Sequence, residues 1–348
     1  MTPKENMRRA ITFEHPEWIP MSFVINPSCW NHYEHEVLFE LIESHPRLFP
    51  DWVRPEEPME LAYGPNARKD HPFIDDFGCV WKTTEDGIVG TVVEHPLANW
   101  EDFDSYTPPD PEKCMGVGPV DWGILAEGFA EERAAGEFNS GYLRHGHTFL
   151  QLCDIRGYEE LLFDMEDEEP MLWKLIEMVE HFNRVIVEKL VGMDIDMMCY
   201  PEDLGMQVGP MLSRENFRKH IQPSYRRIIQ PARDKGKLIH MHSDGDIRLL
   251  VDDIIDSGVD VINLQDLVNG IDWIAERFRG RTCVELDIDR QKITRFGTPE
   301  EIDALIRGEV EAIADPAGGL MMIYGLYPGV PLENARAVMD AMERYMGR

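Results

Sequence analysis

The sequence predicts an α/β protein built as a TIM (β/α)8 barrel with an irregular N-terminal extension, and three observations predict it. From about residue 158 onward, short β-rich runs alternate with amphipathic segments, which implies parallel strands covered on the outside by helices. The length of 348 residues lies within the about 250 to over 400 that such barrels span. No glycine-rich dinucleotide turn is present, which disfavours an open doubly wound sheet.

The strands are expected at DIDMMCY (194–200), KLIHMH (237–242), VDVINL (259–264), TCVELDI (282–288) and GLMMIYG (319–325). A helix from Pro170 places Leu172, Leu175, Ile176, Val179, Phe182, Val185, Ile186 and Leu190 at steps of three and four, one apolar stripe that reads as core. Further helices are expected from Ser213, near Asp246, from Thr298 and near Pro331. Ser213 and Thr298 suit N-caps, because a hydroxyl there accepts from the free amides of the first turn. The first 110 residues are rich in proline and less regular. A hairpin is expected at FGCVWKTTEDGIVGTVVEH, two β-rich runs flanking the turn signal EDG. The expectation is one domain over 1–348, in which 1–110 carries N-terminal helices and this hairpin elaboration.

Composition narrows the function. A formal net charge of −31, dispersed along the chain, repels nucleic acid and anionic membrane. No stretch reaches the roughly 18 to 20 apolar residues of a membrane span, and MTPKENMRRAITFEHPEW has no secretory pattern. Six cysteines without a C-x-x-C pair suit reduced thiols, and a cytoplasmic location is expected. They also disfavour a cysteine-only zinc site. Oligomeric state stays open.

Barrel chemistry sits where strands end, so YPEDLGMQ, HSDGD, LDIDRQ and YGLYPG carry most weight. Along KLIHMHSD, residues two apart share a face, so His240, His242 and Asp244 can point the same way. Imidazole and carboxylate together are good zinc ligands. The alternative is a hydrogen-bonded core histidine, with Asp244 and Gly245 forming a turn. His240 lies deeper in the strand and fits that alternative better than His242 does. Glu202 and Asp203 are adjacent and face different ways, so at most one need enter the site. Glu202 shares parity with Tyr200; a carboxylate here can ligate a metal, accept a proton or bond a substrate. Glu285, Asp287 and Asp289 also share parity, and they can equally pair with lysines outside the barrel. Neither G-x-S-x-G nor a P-loop is present, which removes support for acyl and phosphoryl transfer.

Several segments together resemble the uroporphyrinogen decarboxylase superfamily: TPKENMRRAITFEHPEWIPM, DDFGCVW, IRGYEELLFDM, EDLGMQVGPMLSRENFRKHIQPSYRRII, HMHSDGDI, DSGVDVINLQD, LDIDRQ and GGLMMIYGLYPGVPLENARAVM. The superfamily is built on TIM barrels and includes cobalamin-dependent methyltransferases. True uroporphyrinogen decarboxylases carry the arginine motif RQAGRY, whereas the corresponding stretch here, MSFVINPSCWNHY, has no arginine. A substrate of eight carboxylates is poorly matched without paired arginines. The methyltransferase branch binds zinc through an H-x-C pair followed by glycine and a later cysteine. Here His242 matches that histidine, Asp244 stands at the cysteine position, and YGLYPGVP has no late cysteine.

The resemblance implies a corrinoid-dependent methyltransferase, and a nitrogen and oxygen set in place of thiolates, which leaves zinc the stronger Lewis acid, favours the demethylating kind. Its substrate is a small methoxylated or methylated methyl donor, its cofactor zinc, and its partner a protein carrying the corrinoid (cobalamin). His242, Asp244, Glu202 and His240 are the expected metal set, with Glu202, His242 and Asp244 catalytic. Tyr200, Gln207, Tyr327 and Asp76 are expected to meet the substrate. Two alternatives stand beside it: a metal-free decarboxylase or lyase using the same acids and histidine, and a non-catalytic tetrapyrrole-binding barrel.

Overall fold

The computed structural model describes residues 1–56, 59 and 61–347. Its strands are β1 (Met21–Ile25), β2 (Phe73–Ile74), β3 (Val80–Lys82), β4 (Thr91–Glu94), β5 (Ser140–Tyr142), β6 (Met197–Asp203), β7 (Leu238–Asp244), β8 (Val261–Gln265), β9 (Cys283–Asp287) and β10 (Leu320–Leu326). The fold is a TIM-barrel-like α/β fold whose parallel sheet has seven strands. The chain divides into two compact units. One holds Met1–Asp70, Thr83–Gly90 and Leu264–Arg348; the other holds His71–Lys82 and Thr91–Asn263. In the first, β1 pairs with β10 and β10 with β9, all parallel. In the second, β5 pairs with β6 and β6 with β7, also parallel.

All five expected strands form, and two more join the sheet. β1 and β5 are short runs, MSFVI and SGY, that offer too few alternating positions to signal a strand. Among the described residues, seven strands stand where the ideal barrel has eight. The hairpin is present: β3 and β4 pair antiparallel, and β2 adds to β3.

The helix Pro170–Gly192 begins at its proline and buries Leu172, Leu175, Ile176, Val179, Phe182, Ile186 and Leu190. Each fully buried aliphatic side chain there contributes about 1.5–3 kcal/mol. Ser213 accepts from the Asn216 amide, and Thr298 with Glu301 forms a capping box. No helix starts at Asp246. Its carboxylate accepts from the Gly209 amide and the Arg248 guanidinium, and the next helix begins at Val251.

The β6–β7 pair sets up the site. Its register places Pro201 beside His242, Glu202 beside Ser243 and Asp203 beside Asp244. Laterally paired residues of a parallel sheet point to the same face, so Asp203, His242 and Asp244 share one face and Glu202 with Ser243 takes the other. The loops leaving both strands then interlock. Asp244 donates its amide to Asp203 Oδ1 at 3.0 Å, Gly205 donates to Asp244 O at 3.2 Å, and Asp246 donates to Met206 O at 2.8 Å.

This crossing needs glycine on both sides. Gly245 has φ +81°, and a Cβ there would lie 2.1 Å from the Gly205 carbonyl carbon; a Cβ on Gly205 would meet the Asp246 nitrogen at 2.5 Å. Gly245→Ala therefore combines a left-handed backbone with a backbone clash. The expected loss is about 3 kcal/mol, read as a lower urea midpoint. An unchanged midpoint would contradict the interlocked loops.

Candidate metal centre

Three side chains converge at the ends of β5, β6 and β7. His145 follows β5, Asp203 ends β6, and His242 lies two residues from the end of β7. One donor atom from each lies within 4.8 Å of the others. His145 Nε2 is 3.4 Å and His242 Nε2 3.5 Å from Asp203 Oδ1, and Asp244 Oδ1 lies 3.8 Å from His242 Nε2. The two imidazoles are tilted by 50° with centroids 5.7 Å apart.

The orientation of His242 is fixed from β8. Its Nδ1 hydrogen bonds Asn263 Oδ1; an amide oxygen only accepts, so Nδ1 carries a proton and Nε2 faces the cluster, donating to Asp203 while the ring is charged and offering its lone pair once that proton is lost. Burial works against the charge on His242, but the hydrogen bond with Asp203 and the charges of Asp244 and Asp203 outweigh it and hold the imidazole above its ordinary value. Burial likewise opposes ionisation of Asp203, yet hydrogen bonds from His145 and His242 hold its carboxyl well below the usual carboxylate range. Asp203 is an anion at neutral pH.

Among the sequence-predicted residues, the structure brings His242 and Asp244 together and adds Asp203 and His145. Glu202, expected as an oxygen ligand, is turned away by the register and fully buried. Its Oε2 accepts from the amides of Thr148 and Phe149 and from the Tyr225 hydroxyl, and its Oε1 from the Leu150 amide. Burial pushes this carboxyl up to about 7, against the pull of those amides. Tyr200 shares that face, buried, with its hydroxyl donating to Ile228 O. Parity within the strand therefore linked Glu202 to Tyr200 as expected, but on the side facing the helices.

His240 is buried one turn of the pleat behind His242 and does not belong to the group of converging donors. Gln207 is exposed on the loop after β6. Asp76 accepts from the Gly118 amide at 2.7 Å. Tyr327 belongs to the other compact unit, where its ring lies 5.4 Å from the Arg290 guanidinium. Asp287 and Asp289 are engaged within that unit as well. Asp287 pairs with Arg290 at 2.7 Å, and Asp289 accepts from the amides of Gln291, Lys292, Ile293 and Thr294.

His145 escaped the sequence reading because β5 has only three residues. Its signal was the run RHGHT, a second His-x-His directly after the strand. His147 of that pair is buried between Tyr200 and Tyr225, and burial lowers it to about 3, so it stays neutral.

The donors fit a zinc ion. Ligand bonds of about 2.0–2.1 Å in a tetrahedron set ligand atoms about 3.3–3.4 Å apart, close to the 3.4 and 3.5 Å found here. The set offers two imidazole nitrogens and one carboxylate oxygen, with Asp244 adjacent. No cysteine belongs to it, and all six cysteines are buried without a disulfide.

The sequence profile of the uroporphyrinogen decarboxylase (URO-D) family matches residues 141–345, more than half of the chain. A search of curated proteins returns no match. In structure, a methyltransferase from Methanosarcina mazei is similar with a TM-score of 0.62 at 13% identity, covering 98% of this chain and 98% of that one; the likeness shows a shared fold. A B12-independent methionine synthase from Shewanella sp. W3-18-1, in complex with selenomethionine, has a TM-score of 0.42 at 12% identity, covering 63% of this chain and 64% of that one.

The adjacent acids should separate on mutation. Asp203→Asn is expected to lower cobalt(II) affinity by more than about a hundredfold, beyond the loss that a supporting partner causes, and to lower the urea midpoint at neutral pH as well, because the charged pair with His242 is lost. Glu202→Gln turns an amide NH2 or a lost acceptor toward backbone N–H groups, and about 2 kcal/mol of stability should go while cobalt(II) still binds. Reversed outcomes would show that Glu202 is the ligand.

Proposed function

Because the chain belongs to the uroporphyrinogen decarboxylase (URO-D) family, we propose that it is a corrinoid-dependent methyltransferase of the demethylating kind. It takes a methyl group from a small methoxylated or methylated compound and passes it to a corrinoid carried by a partner protein in the cytoplasm. One observation carries this reading: the donor set His145, Asp203 and His242 contains nitrogen and oxygen and no sulfur. The absence of arginine from residues 21–33 weighs against a polycarboxylate tetrapyrrole substrate, since arginine pairs are what hold such groups. Among the described residues, no helix is long and apolar enough to cross a membrane.

His145, Asp203 and His242 would hold zinc, which supplies Lewis acidity that polarises an ether oxygen as its bond to methyl breaks. With one anionic ligand and no thiolate to donate electrons, this set favours that task over stabilising a thiol substrate as thiolate. Asn263 keeps the His242 Nε2 lone pair directed at the cluster. Asp203 balances charge and, through the Asp244 amide, ties the two ligand strands together. Asp244 has a side chain 38% exposed with Oδ1 3.8 Å from His242 Nε2, close enough to take a ligand position.

Protein purified without chelator should hold about one zinc per chain and transfer methyl from a methoxylated aromatic to cob(I)alamin, seen as the spectral change to methylcobalamin. Chelation should abolish that transfer. Turnover of a small acid that survives chelation would instead favour the metal-free lyase.

Metal affinity should depend on pH in a defined direction. In the metal-free protein Asp203 and Asp244 hold His242 above the ordinary histidine range despite its burial, so protons compete with metal below that raised value. Affinity should then fall by about tenfold per pH unit for each proton displaced. The stability contribution of the charged His242–Asp203 pair runs the other way. It is present at low pH and is lost as the pH rises through the raised value. Affinity that does not vary between pH 5 and 8 would contradict His242 as a ligand.

A further inference from the structure

His145 is the most exposed of the three donors, with a side chain 52% accessible, and it lies beyond the end of β5 with no regular element to fix it. Its neighbours on either side are anchored to β6: Leu143 donates to Cys199 O at 3.1 Å and Gly146 to Pro201 O at 2.9 Å. A further restraint comes from Arg144. Its side chain is only 7% exposed and lies between two carboxylates, with NH1 at 3.4 Å from Asp75 Oδ2 and NH2 at 3.2 Å from Asp154 Oδ2. Its Nε donates to the carbonyl of His145 at 3.4 Å, and the guanidinium lies 5.6 Å from the centroid of the Trp81 ring.

Asp75 is itself over-determined. It sits in the DDFGCVW segment between β2 and β3, where its Oδ1 accepts from the amides of Phe77 and Cys79 at 3.0 and 2.9 Å and its Oδ2 from Trp81 Nε1 at 2.9 Å. The hairpin elaboration therefore ends in a rigid buried anion that meets the residue next to a metal donor. A buried guanidinium shared by two carboxylates is costly to disturb from either side, because the remaining charges would be left without a partner. Its planar fork reaches three acceptors at once, which an ammonium cannot do.

We propose that Arg144 is a positioning residue of the metal centre, held by Asp75 and Asp154 so that it fixes the strand-end turn from which His145 reaches Asp203. This gives the hairpin a role in the site: it holds the mount of one ligand. The proposal rests on the metal-centre reading above.

The test is a double-mutant cycle read by cobalt(II) binding to the full chain through chelator competition, with no turnover involved. Arg144→Lys should weaken binding by about tenfold or more, the range that loss of a ligand-supporting partner produces, and should shift the visible cobalt(II) spectrum toward that of His145→Ala. In the His145→Ala background, Arg144→Lys should change affinity by less than about twofold, since the ligand it positions is gone. Equal weakening in both backgrounds, or none with His145 present, would overturn the proposal. Asp154→Asn, which releases one branch of the guanidinium, should give a smaller loss with the same dependence on His145, and it decides the matter if Arg144→Lys does not fold. If wild type binds no cobalt(II), or His145→Ala and His242→Ala bind as wild type does, the metal-centre reading itself fails and this proposal with it.

Discussion

The register between β6 and β7 is the constraint from which the rest follows. Pairing Asp203 with Asp244 decides which of two neighbouring acids joins the histidines and which faces the helices. A slip of one residue would exchange them, because side chains alternate along a strand. The register is locked at the strand ends by the Asp244 amide on Asp203 and by the close approach of Gly205 and Gly245. The same contacts that end the strands therefore also build the charge cluster.

The two acids do opposite work with the same chemistry. Glu202 is fully buried and spends its acceptors on three backbone amides at the start of the helix Phe149–Arg156 and on Tyr225. That helix follows directly from the turn bearing His145, so Glu202 braces the segment from behind while Asp203 meets it in front. Asp203 keeps its charge through two imidazoles. Arg144, gripped by Asp75 and Asp154, braces the same turn from the hairpin side. Three separate polar contacts thus converge on a stretch with no regular structure of its own.

Much of this architecture was legible in the sequence. The strands carrying LIHMHSD and MMCYPED showed as apolar runs bounded by polar ends, and the Pro170 and Thr298 helix starts carried their own signals. His242 and Asp244 were legible because both lie on one strand and alternate. Asp203 was not, since parity ties residues within a strand but does not say which face looks inward; only the partner strand supplies that. His145 was hidden because SGY is too short to display a pattern. The segment DDFGCVW was visible, but the acid beside Arg144 is Asp75, while Asp76 accepts from the Gly118 amide.

The central claim is a metal centre of nitrogen and oxygen ligands in which Asp203 joins two histidines. X-ray absorption at the zinc edge on the zinc-loaded protein tests it most directly. The account predicts a first shell of nitrogen and oxygen at about 2.0–2.1 Å, with imidazole outer-shell scattering that drops by half in His145→Ala. A sulfur shell near about 2.3 Å, or imidazole scattering unaltered by that substitution, would contradict it.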